Sequence, residues 1–448
     1  MNITFRSDTG YEDARVGRVF NRRRPARYPD AVVFAENEDD VVAAVNLARS
    51  RGWQIALRSG GHSWAAWSVR EGGLLLDLSR MREMVLDPAT NIVRVSPAVK
   101  GGMELNPYLA PHGLMFAGGH CPTVGLGGFL LQGGMGWNSR GWGWAAESIE
   151  AIDVVTADGN LVRADATHNS ELFWAARGSG PGFFGVVTRF HLRARGLPKA
   201  LTQSVLVFPK ECYESVAHWL HEIHATLAPS VELVMLGVTP PGGHEPQVVV
   251  LALAMVDTHA EAAQVLAPFE HCPVKDRALV HVSAQPTTFA EQIEKQIEQN
   301  PEGYRYAADN AWLEGNPGEV VTRMRAAFVD LPNATSFTLW YSMAPLRPLP
   351  DMALSLQSDV YFALYTNWLD EAEDARHRAW LAARMTDLAP VTIGQYLGDS
   401  DFGTRPMKFM SEANFERLEA LRRKYDPGRM FHPYLTLAGT VLNQNHWM

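Results

Sequence analysis

The sequence predicts an α+β protein built from more than one domain, on the basis of three observations. The chain has 448 residues, which is enough to form two or three hydrophobic cores. Before residue 196, short apolar strand patterns and a capped helix alternate with two glycine-rich loops. After a change of composition at Gly196-Leu197-Pro198, longer β patterns follow with helices between them. This order predicts a second domain whose sheet carries its helices on one side.

The first part of the chain gives clear signals for strands and for one helix. Residues 31–34 form a predicted strand, and the helix after it begins at the N-cap residue Asn37 and ends at Gly52. A turn at 157–160 joins two strands into a predicted hairpin. The remaining predicted strands of this part are 54–58, 74–78, 92–95, 151–156, 161–163 and 186–190.

Longer elements are predicted for the rest of the chain. The predicted strands are 204–208, 231–238, 248–254 and 336–343, with predicted helices at 213–227 and 318–331. A last helix, 414–425, has Phe415, Leu418 and Leu421 on one face. It stops at Asp426-Pro427-Gly428.

The composition is that of an ordinary globular protein, with 46% hydrophobic and 20% charged residues. The formal net charge of −9 argues against a nucleic-acid partner, because neutralising phosphates requires a basic surface. The sequence contains neither an 18-residue apolar run nor an apolar segment at the N-terminus, so we expect no membrane span and no signal peptide. The 3 cysteines lie far apart, as in proteins of reducing compartments, and we expect a cytoplasmic protein.

Glycine is dense between Gly118 and Gly136, where the sequence is GGHCPTVGLGGFLLQGGMG. Glycine lets a ligand approach the main chain closely, and successive N–H groups can form a concave site for phosphate oxygens. A Rossmann fingerprint starting at Gly125 is excluded because its last glycine position is Leu130, and a P-loop is excluded because no Gly-Lys-Ser/Thr follows. The stretch therefore predicts a ligand-binding loop, the alternative being a connector with an inert thiol.

Two nucleophilic side chains lie in glycine-rich surroundings. His62 follows Gly60-Gly61, and Cys121 lies in the stretch just described. A thiol becomes reactive when oriented N–H groups or positive charges lower its pKa from about 8.5. The histidines at 218, 221 and 224 do not have the spacing of an H-E-x-x-H metal motif, so a solvated helix face is favoured there and no metal site is predicted.

Seven features, in order along the chain, resemble the berberine bridge enzyme-like flavoproteins of the vanillyl-alcohol oxidase superfamily. They are RSGGHS at 58–63, CPTVG-x-GG at 121–128, Arg140, DVVTADG at 153–159, LFWAARG at 172–178, FGVVT at 184–188 and KYDP-x-x-MF at 424–431. The resemblance covers residues 15–195 well and 410–435 fairly, whereas the middle of the chain matches loosely.

The resemblance implies a fold and a cofactor. The expected fold has a two-subdomain PCMH-type FAD-binding domain at 1–196, a substrate-binding domain at 197–405 built on an antiparallel sheet covered by helices, and a C-terminal segment at 406–448 that returns to the FAD domain. FAD is expected to be held covalently through His62, at the 8α-methyl carbon, and through Cys121, at carbon 6. The residues implied to bind the cofactor are His62, Cys121, Arg58, Ser59, Gly60, Gly61, Ser63, Gly119, Thr123, Gly125, Gly127, Gly128, Gly133, Gly136, Gly182, Gly185, Val186 and Val187.

The chain departs from the family where the catalytic base is expected. The family often has Tyr-x-Asn-Phe/Tyr, whereas the corresponding segment here is Ile393-Gly394-Gln395-Tyr396-Leu397-Gly398-Asp399, with Ile393 in place of the tyrosine and Gln395 in place of the asparagine. A base needs a pKa matched to its task. The candidates for catalytic residues are His120, Tyr396, Gln395 and Tyr361 (near Tyr365), and each has packing in the core as its alternative. Phe183 stands where the family usually has asparagine, which puts one hydrogen bond to the cofactor in doubt.

The expected reaction is the two-electron oxidation of a small organic alcohol, amine or sugar with O2 as acceptor, giving H2O2. Val124, three residues after the cysteine, is similar to the residue of the oxidases, whereas leucine or isoleucine there is typical of dehydrogenases. The tryptophan, tyrosine and methionine content of the middle part favours an aromatic or otherwise apolar substrate, including secondary metabolites. The alternatives are a dehydrogenase with another electron acceptor and a flavin- or ligand-binding protein with little turnover. We expect a monomer or a homodimer.

Overall fold

A computed structural model describes residues 1–402 and 404–435. The first sheet is formed by β1 (Asn2–Phe5), β2 (Ala31–Phe34), β3 (Ile55–Arg58) and β4 (Leu74–Asp77). Its order is β1-β2-β4-β3, in which β2, β4 and β3 run parallel and β1 pairs antiparallel with β2. Two helices, α1 (Tyr11–Val16) and α2 (Glu38–Arg51), lie in the same part of the chain.

The second sheet has five antiparallel strands. They are β5 (Met84–Asp87), β6 (Ile92–Val95), β8 (Ile149–Val155), β9 (Leu161–Asp165) and β10 (Val186–Arg193), while β7 (Leu114–Met115) and β11 (Arg195–Gly196) form a separate pair. The order is β5-β6-β10-β8-β9. The helices of this part are α3 (Asn106–Leu109), α4 (Leu126–Leu131), α5 (Ser139–Trp142) and α6 (Ser170–Ala175). Helix α4 begins inside the glycine-rich stretch.

The third sheet has eight antiparallel strands in the second half of the chain. They are β12 (Ala200–Pro209), β13 (Val231–Val238), β14 (Gln247–Val256), β15 (Val280–Thr287), β16 (Arg305–Leu313), β17 (Phe337–Ser342), β18 (Val360–Trp368) and β19 (Thr392–Gly394). Their order is β15-β12-β14-β13-β17-β18-β16-β19.

Six longer helices lie in the second half of the chain. They are α7 (Tyr213–Ile223), α8 (His259–Leu266), α9 (Phe289–Gln299), α10 (Pro317–Val329), α11 (Asp374–Leu388) and α12 (Glu412–Tyr425). In the described part of the chain, no helix is long and apolar enough to cross a membrane.

The third sheet separates two sets of side chains. One face packs against α7, α8, α10 and α11 in a large apolar core. The other face carries an aromatic cluster that contacts loops of the first part of the chain, including Trp64 and Trp144. Helix α12 returns to the first part, where Phe415, Leu418 and Leu421 join the core of the first two sheets. The domain limits near 196 and 405 stay a prediction.

The α+β class and the helix-covered antiparallel sheet are confirmed. The Asn37 side chain caps α2, since its Oδ1 accepts from the Asp40 N–H at 2.9 Å. The predicted helix 213–227 ends earlier, at Ile223, and a short 3₁₀ turn follows it. Strands β15 and β16 were not predicted, because polar residues such as Gln285, Asp309 and Asn310 interrupt their apolar pattern.

The histidines of α7 and of the 3₁₀ turn that follows it correct one expectation. The expected solvated face is wrong for His221 and His224, because their rings lie 5.7 and 5.5 Å from that of Trp340, on the face of the helix that covers the sheet. His224 is buried, and a hydrogen bond joins its Nδ1 to the Ser342 hydroxyl at 3.1 Å. Within residues 1–402 and 404–435, no group of three or more His, Cys, Asp or Glu side chains is arranged to hold a metal ion.

Candidate active site

A long cavity lies between the glycine-rich loops and the aromatic face of the third sheet. Loop 59–63, which follows β3, and loop 119–128, which leads into α4, both contribute to one wall. Strands β13, β14, β17 and β18 supply the opposite wall, with apolar side chains at Val234, Leu236, Leu251, Phe337 and Leu339. The cavity therefore joins the part of the chain resembling an FAD domain to the part expected to bind substrate.

The two glycine-rich loops touch each other through their main chains. A Cβ atom built on Gly60 would lie 2.8 Å from the Cα of Gly125, and one built on Gly125 would lie 2.7 Å from the Cα of Gly60. Any side chain at either position would push the loops apart. Gly61 has φ +74°, and a Cβ there would lie 2.0 Å from the Arg18 carbonyl oxygen. Glycine at these positions is thus required by the close approach of the loops.

The first loop offers a row of free hydrogen-bond donors to the cavity. Residues 60–63 line the cavity, and their main-chain N–H groups have no acceptor in the part of the chain that the structure describes. Such a series of N–H groups is typical of sites that bind phosphate oxygens. In the second loop the N–H of Gly128 donates to the Ser59 Oγ at 3.3 Å, and the space beside the Gly128 Cα is open.

The two predicted nucleophiles meet at one end of these loops. The Sγ of Cys121 lies 3.6 Å from the Nε2 of His62, and the Thr123 Oγ1 lies within hydrogen-bond distance of both, at 2.8 Å from Nε2 and 3.4 Å from Sγ. The His62 ring stacks on Phe20 at 4.0 Å. Burial lowers the pKa of His62 to about 4, so its imidazole is neutral and nucleophilic near pH 7. Burial raises the pKa of the Cys121 thiol, although its hydrogen bonds with Thr123 act in the opposite direction.

His120 pairs with a carboxylate from the third sheet. A hydrogen bond of 3.0 Å joins its Nε2 to Oε1 of Glu232, on β13, while the other oxygen of Glu232 accepts from the Asn138 N–H at 2.5 Å and from the Tyr341 hydroxyl at 3.1 Å. Burial lowers the pKa of His120, but the charge and hydrogen bond of Glu232, with a smaller contribution from Asp399, raise it overall. The Nδ1 of His120 has no hydrogen-bond partner among the described residues.

A second carboxylate, Asp399, lies on the cavity wall and receives hydrogen bonds from aromatic side chains. The Tyr361 hydroxyl donates to its Oδ2 at 2.9 Å, and the Trp64 Nε1–H donates to its Oδ1 at 3.3 Å. Burial raises the pKa of Asp399 despite these donors, and it raises that of Tyr361 well above 10.0. The hydroxyl of Tyr396 instead accepts from the Met135 N–H at 3.2 Å.

The structure brings most of the predicted site residues to the cavity, though not all. His62, Cys121, His120, Val124, Tyr361, Tyr396 and Val187 line it together with Arg58, Ser59, Gly60, Gly61, Ser63, Gly119, Gly125, Gly127 and Gly128. The Arg58 guanidinium points elsewhere, to Asp77 and to main-chain oxygens of Ala14 and Arg15. Gln395 is fully buried outside the cavity wall. Phe183 also lines the cavity.

Several predicted cofactor residues support the cavity wall from behind. They are Gly133, Gly136, Gly182, Gly185 and Val186, none of which is among the residues that line it. Thr123 is not among the lining residues either, although its hydroxyl lies beside the Cys121 sulfur. A Cβ on Gly136 would lie 2.2 Å from the Ala117 carbonyl oxygen, and one on Gly182 would lie 2.3 Å from the Tyr434 hydroxyl. Glycine is needed there for packing within the chain. Direct contact of these five residues and of Thr123 with a cofactor stays a prediction.

The two cavity carboxylates, Glu232 and Asp399, are not among the site residues that the sequence predicts. Glu232 did carry a signal, since it is the sole charged residue in the apolar strand VELVMLGV and a charge inside such a strand needs partners. Asp399 is the last residue of the segment that corresponds to the family motif, but nothing local marks it. Their partners, His120 and Tyr361, lie 112 and 38 residues away along the chain.

The cavity fits FAD on structural grounds. The free N–H row suits a diphosphate, and the neighbouring imidazole and thiol suit attachment to one edge of a flavin ring. On the same wall, the Trp67 Nε1 and the His432 Nε2 are buried and have no partner among residues 1–402 and 404–435. A ligand with hydrogen-bonding groups along its length would satisfy such atoms.

Comparisons with known proteins agree with this fit. Residues 29–165 match the model of the family described as "FAD binding domain". The chain is 37% identical over 422 residues to the FAD-linked oxidoreductase nodO of Hypoxylon pulicicidum, covering 93% of each chain.

Two solved structures have the same fold. One is 6-hydroxy-D-nicotine oxidase of Arthrobacter nicotinovorans, 20% identical with a TM-score of 0.83 over 96% of each chain. The other is the glucooligosaccharide oxidase of Acremonium strictum, 18% identical with a TM-score of 0.82 over 96% of each chain, whose FAD is described as 6-S-cysteinyl, 8α-N1-histidyl. The chain therefore belongs to the FAD-linked oxidoreductases, an enzyme family, and its fold is that of the berberine bridge enzyme-like flavoproteins.

Proposed function

We propose that this protein is an FAD-dependent oxidase that binds its cofactor through two covalent bonds, to His62 and to Cys121. The observation that carries the proposal is the 3.6 Å distance between His62 Nε2 and Cys121 Sγ, on the cavity wall beside the free N–H row. The glucooligosaccharide oxidase, whose FAD is described with one cysteinyl and one histidyl bond, supports the same pairing of residue types. Bound FAD supplies the two-electron redox chemistry.

The attachment is tested by following flavin after denaturation. Wild type, His62→Ala and Cys121→Ala are each expected to keep flavin fluorescence in a denaturing gel and the mass of one FAD in intact mass spectrometry. The double variant is expected to lose both signals, because no covalent anchor is left. Cys272→Ala and His112→Ala are matched controls away from the cavity, and both should behave as wild type. A wild-type protein that releases all its flavin on denaturation would contradict the proposal.

His120 is proposed as the base that accepts the substrate's proton. Glu232 holds the Nε2 side of the ring, and this leaves Nδ1 as the nitrogen free to take up a proton. A histidine also has a pKa close to working pH, as a general base requires. Tyr361, the other candidate whose hydroxyl is bonded to a cavity carboxylate, keeps its proton because its pKa lies well above 10.0.

The substrate is proposed to be a small molecule with an apolar or aromatic part. The sheet side of the cavity carries Val234, Leu236, Leu251 and Leu339, whose side chains offer contact area without hydrogen bonds. Trp137 adds an aromatic surface next to His120, at 4.4 Å between rings. A screen of alcohols, amines and sugars for peroxide release would test this, and oxidation of sugars alone would contradict it.

Dioxygen is the proposed electron acceptor, and Val124 is proposed to leave room for it beside Cys121. Replacing Val124 with leucine should slow reoxidation, because the larger side chain fills space on the cavity wall. Photoreduced enzyme mixed with air-saturated buffer in a stopped-flow instrument measures this step without any substrate. Val124→Ala is the matched control and should reoxidise at least as fast as wild type. Equal rates for Val124→Leu and wild type, or no reoxidation of wild type by air, would favour a dehydrogenase.

A further inference from the structure

We propose that Thr123 is the positioning residue for attachment of Cys121 to the flavin. Its hydroxyl holds the sulfur beside His62 and donates a hydrogen bond to the thiolate as it forms. This inference rests on the covalent attachment proposed above. It assigns to Thr123, which forms no bond to the flavin itself, the activation of Cys121 for its bond.

The geometry places one hydroxyl between two nucleophiles. The Thr123 Oγ1 lies 2.8 Å from His62 Nε2 and 3.4 Å from Cys121 Sγ. A hydroxyl has one proton to donate and lone pairs to accept, so it can accept from the imidazole N–H while it donates to sulfur. No other described side chain contacts both nucleophiles through hydrogen bonds.

The main chain on either side fixes the hydroxyl in place. The carbonyl oxygen of Pro122 accepts from the Met103 N–H and that of Val124 from the Gly101 N–H, each at 3.2 Å. A Cβ on Gly102 would lie 2.7 Å from Pro122, so the two segments are closely packed. Thr123 therefore stands between two anchored carbonyl groups, as a positioning residue should.

The thiol needs this help because its surroundings oppose ionisation. Cys121 is enclosed by the cavity wall, and burial raises the pKa of its thiol, whereas the hydrogen bonds with Thr123 are the largest influence that lowers it. Lys100 acts in the same direction but is a smaller influence, and Asp399 opposes it. A hydrogen bond to a charged group is strong enough to change the thiolate fraction about tenfold to a hundredfold.

The attachment reaction balances with dioxygen as oxidant. The thiol gives up its proton and forms a carbon–sulfur bond at the flavin ring, and the ring carbon gives up its hydrogen as a proton. The two electrons that remain pass, with the two protons, to dioxygen, which becomes H2O2. Thr123 takes part only at the first step, where it stabilises the thiolate.

The test isolates the sulfur bond in a His62→Ala background, where Cys121 is the single anchor. FAD-loaded protein is incubated in air, and covalent flavin is followed over time by denaturing gel fluorescence and intact mass. Thr123→Val in this background should slow sulfur attachment about tenfold to a hundredfold, while Thr123→Ser, which keeps the hydroxyl, should restore it. The double variant Cys121→Ala/Thr123→Val should still carry flavin bonded to His62. This result would show that Thr123→Val leaves folding and FAD binding intact.

Each outcome decides the question. If the His62→Ala/Thr123→Val variant attaches flavin to sulfur as fast as His62→Ala does, the role of Thr123 is overturned. Failure of Thr123→Ser to restore attachment overturns it as well. Thr123→Ala, which removes the hydroxyl together with the methyl branch, replaces Thr123→Val if the valine variant does not bind FAD. Absence of covalent flavin from the wild type would instead overturn the proposed function, so the two failures are distinguishable.

Discussion

A His120→Gln enzyme is expected to reduce its flavin about 10²- to 10⁴-fold more slowly than wild type with a substrate found in the peroxide screen, because positioned proton transfer contributes that much. Glutamine keeps a hydrogen-bonding side chain but cannot take up the proton. Anaerobic stopped-flow measurement of flavin bleaching reports the step directly. Flavin content after denaturation should be unchanged, which separates loss of the base from loss of the cofactor. An unchanged rate would assign the base elsewhere.

The pairing of His120 with Glu232 also predicts a shift in the pH dependence of flavin reduction. The base must be unprotonated, so the rate falls as pH drops through the His120 pKa, which Glu232 raises above 6.5. In Glu232→Gln the raising charge is gone, and the acid limb of the profile should move to lower pH. Asp399 raises the His120 pKa less strongly, so part of the shift should persist. Glu298→Gln, at an exposed position, is the control; identical acid limbs in wild type and Glu232→Gln would contradict the pairing.

An Asp77→Asn protein is expected to lose about 3–5 kcal/mol of stability, the usual cost of removing one partner from a buried ion pair. Asp77 is fully buried and accepts from the Arg58 Nε–H at 2.5 Å and from the Arg18 guanidinium at 2.6 Å. Without the negative charge of Asp77, the positive charge of the fully buried Arg58 would be left uncompensated. Arg58 lies at the end of β3, directly before loop 59–63. Urea unfolding followed by tryptophan fluorescence measures the loss. Asp276→Asn, at an exposed position, should change little.

Acid unfolding provides an independent check on Asp77. Burial would raise its pKa, but Arg58 and Arg18 outweigh that effect and hold the pKa below its ordinary value of 3.8. A depressed folded pKa contributes stability that is present above the unfolded pKa and is lost as pH falls through the folded one. The stability difference between wild type and Asp77→Asn should therefore shrink below about pH 4. A difference that is constant down to pH 2 would contradict this assignment.

The parts of the site that sequence predicted are those encoded by short stretches of chain. The loops carrying His62 and Cys121 were recognisable because glycines and a nucleophile stand together within a few residues. Likewise, strands with continuous apolar runs, such as β2 and β13, were predicted with the limits that the structure shows. The local sequence is sufficient to predict a site where the reactive side chain and the glycines that its backbone requires lie in the same short segment.

Which side chains of a predicted segment face the cavity was harder to predict than the position of the segment in the chain. Gln395 and Tyr396 were both candidates, yet Tyr396 alone lines the cavity. Val186 and Val187 differ in the same way. Successive residues of an extended chain point to opposite sides, so a motif assigned to the right segment still leaves half of its residues facing away. The carboxylates Glu232 and Asp399 needed the tertiary structure, because their partners come from distant elements.

The closeness of His62 and Cys121 has a consequence for the unfolded chain. These residues are 59 positions apart in sequence but adjacent in space. A cofactor bonded to both would close a covalent ring through that length of polypeptide, in the way that a disulfide does. For a ring of this size, the lost chain entropy of the unfolded state corresponds to about 4 kcal/mol. The prosthetic group would then serve as a crosslink that keeps the polypeptide folded, in addition to its redox work.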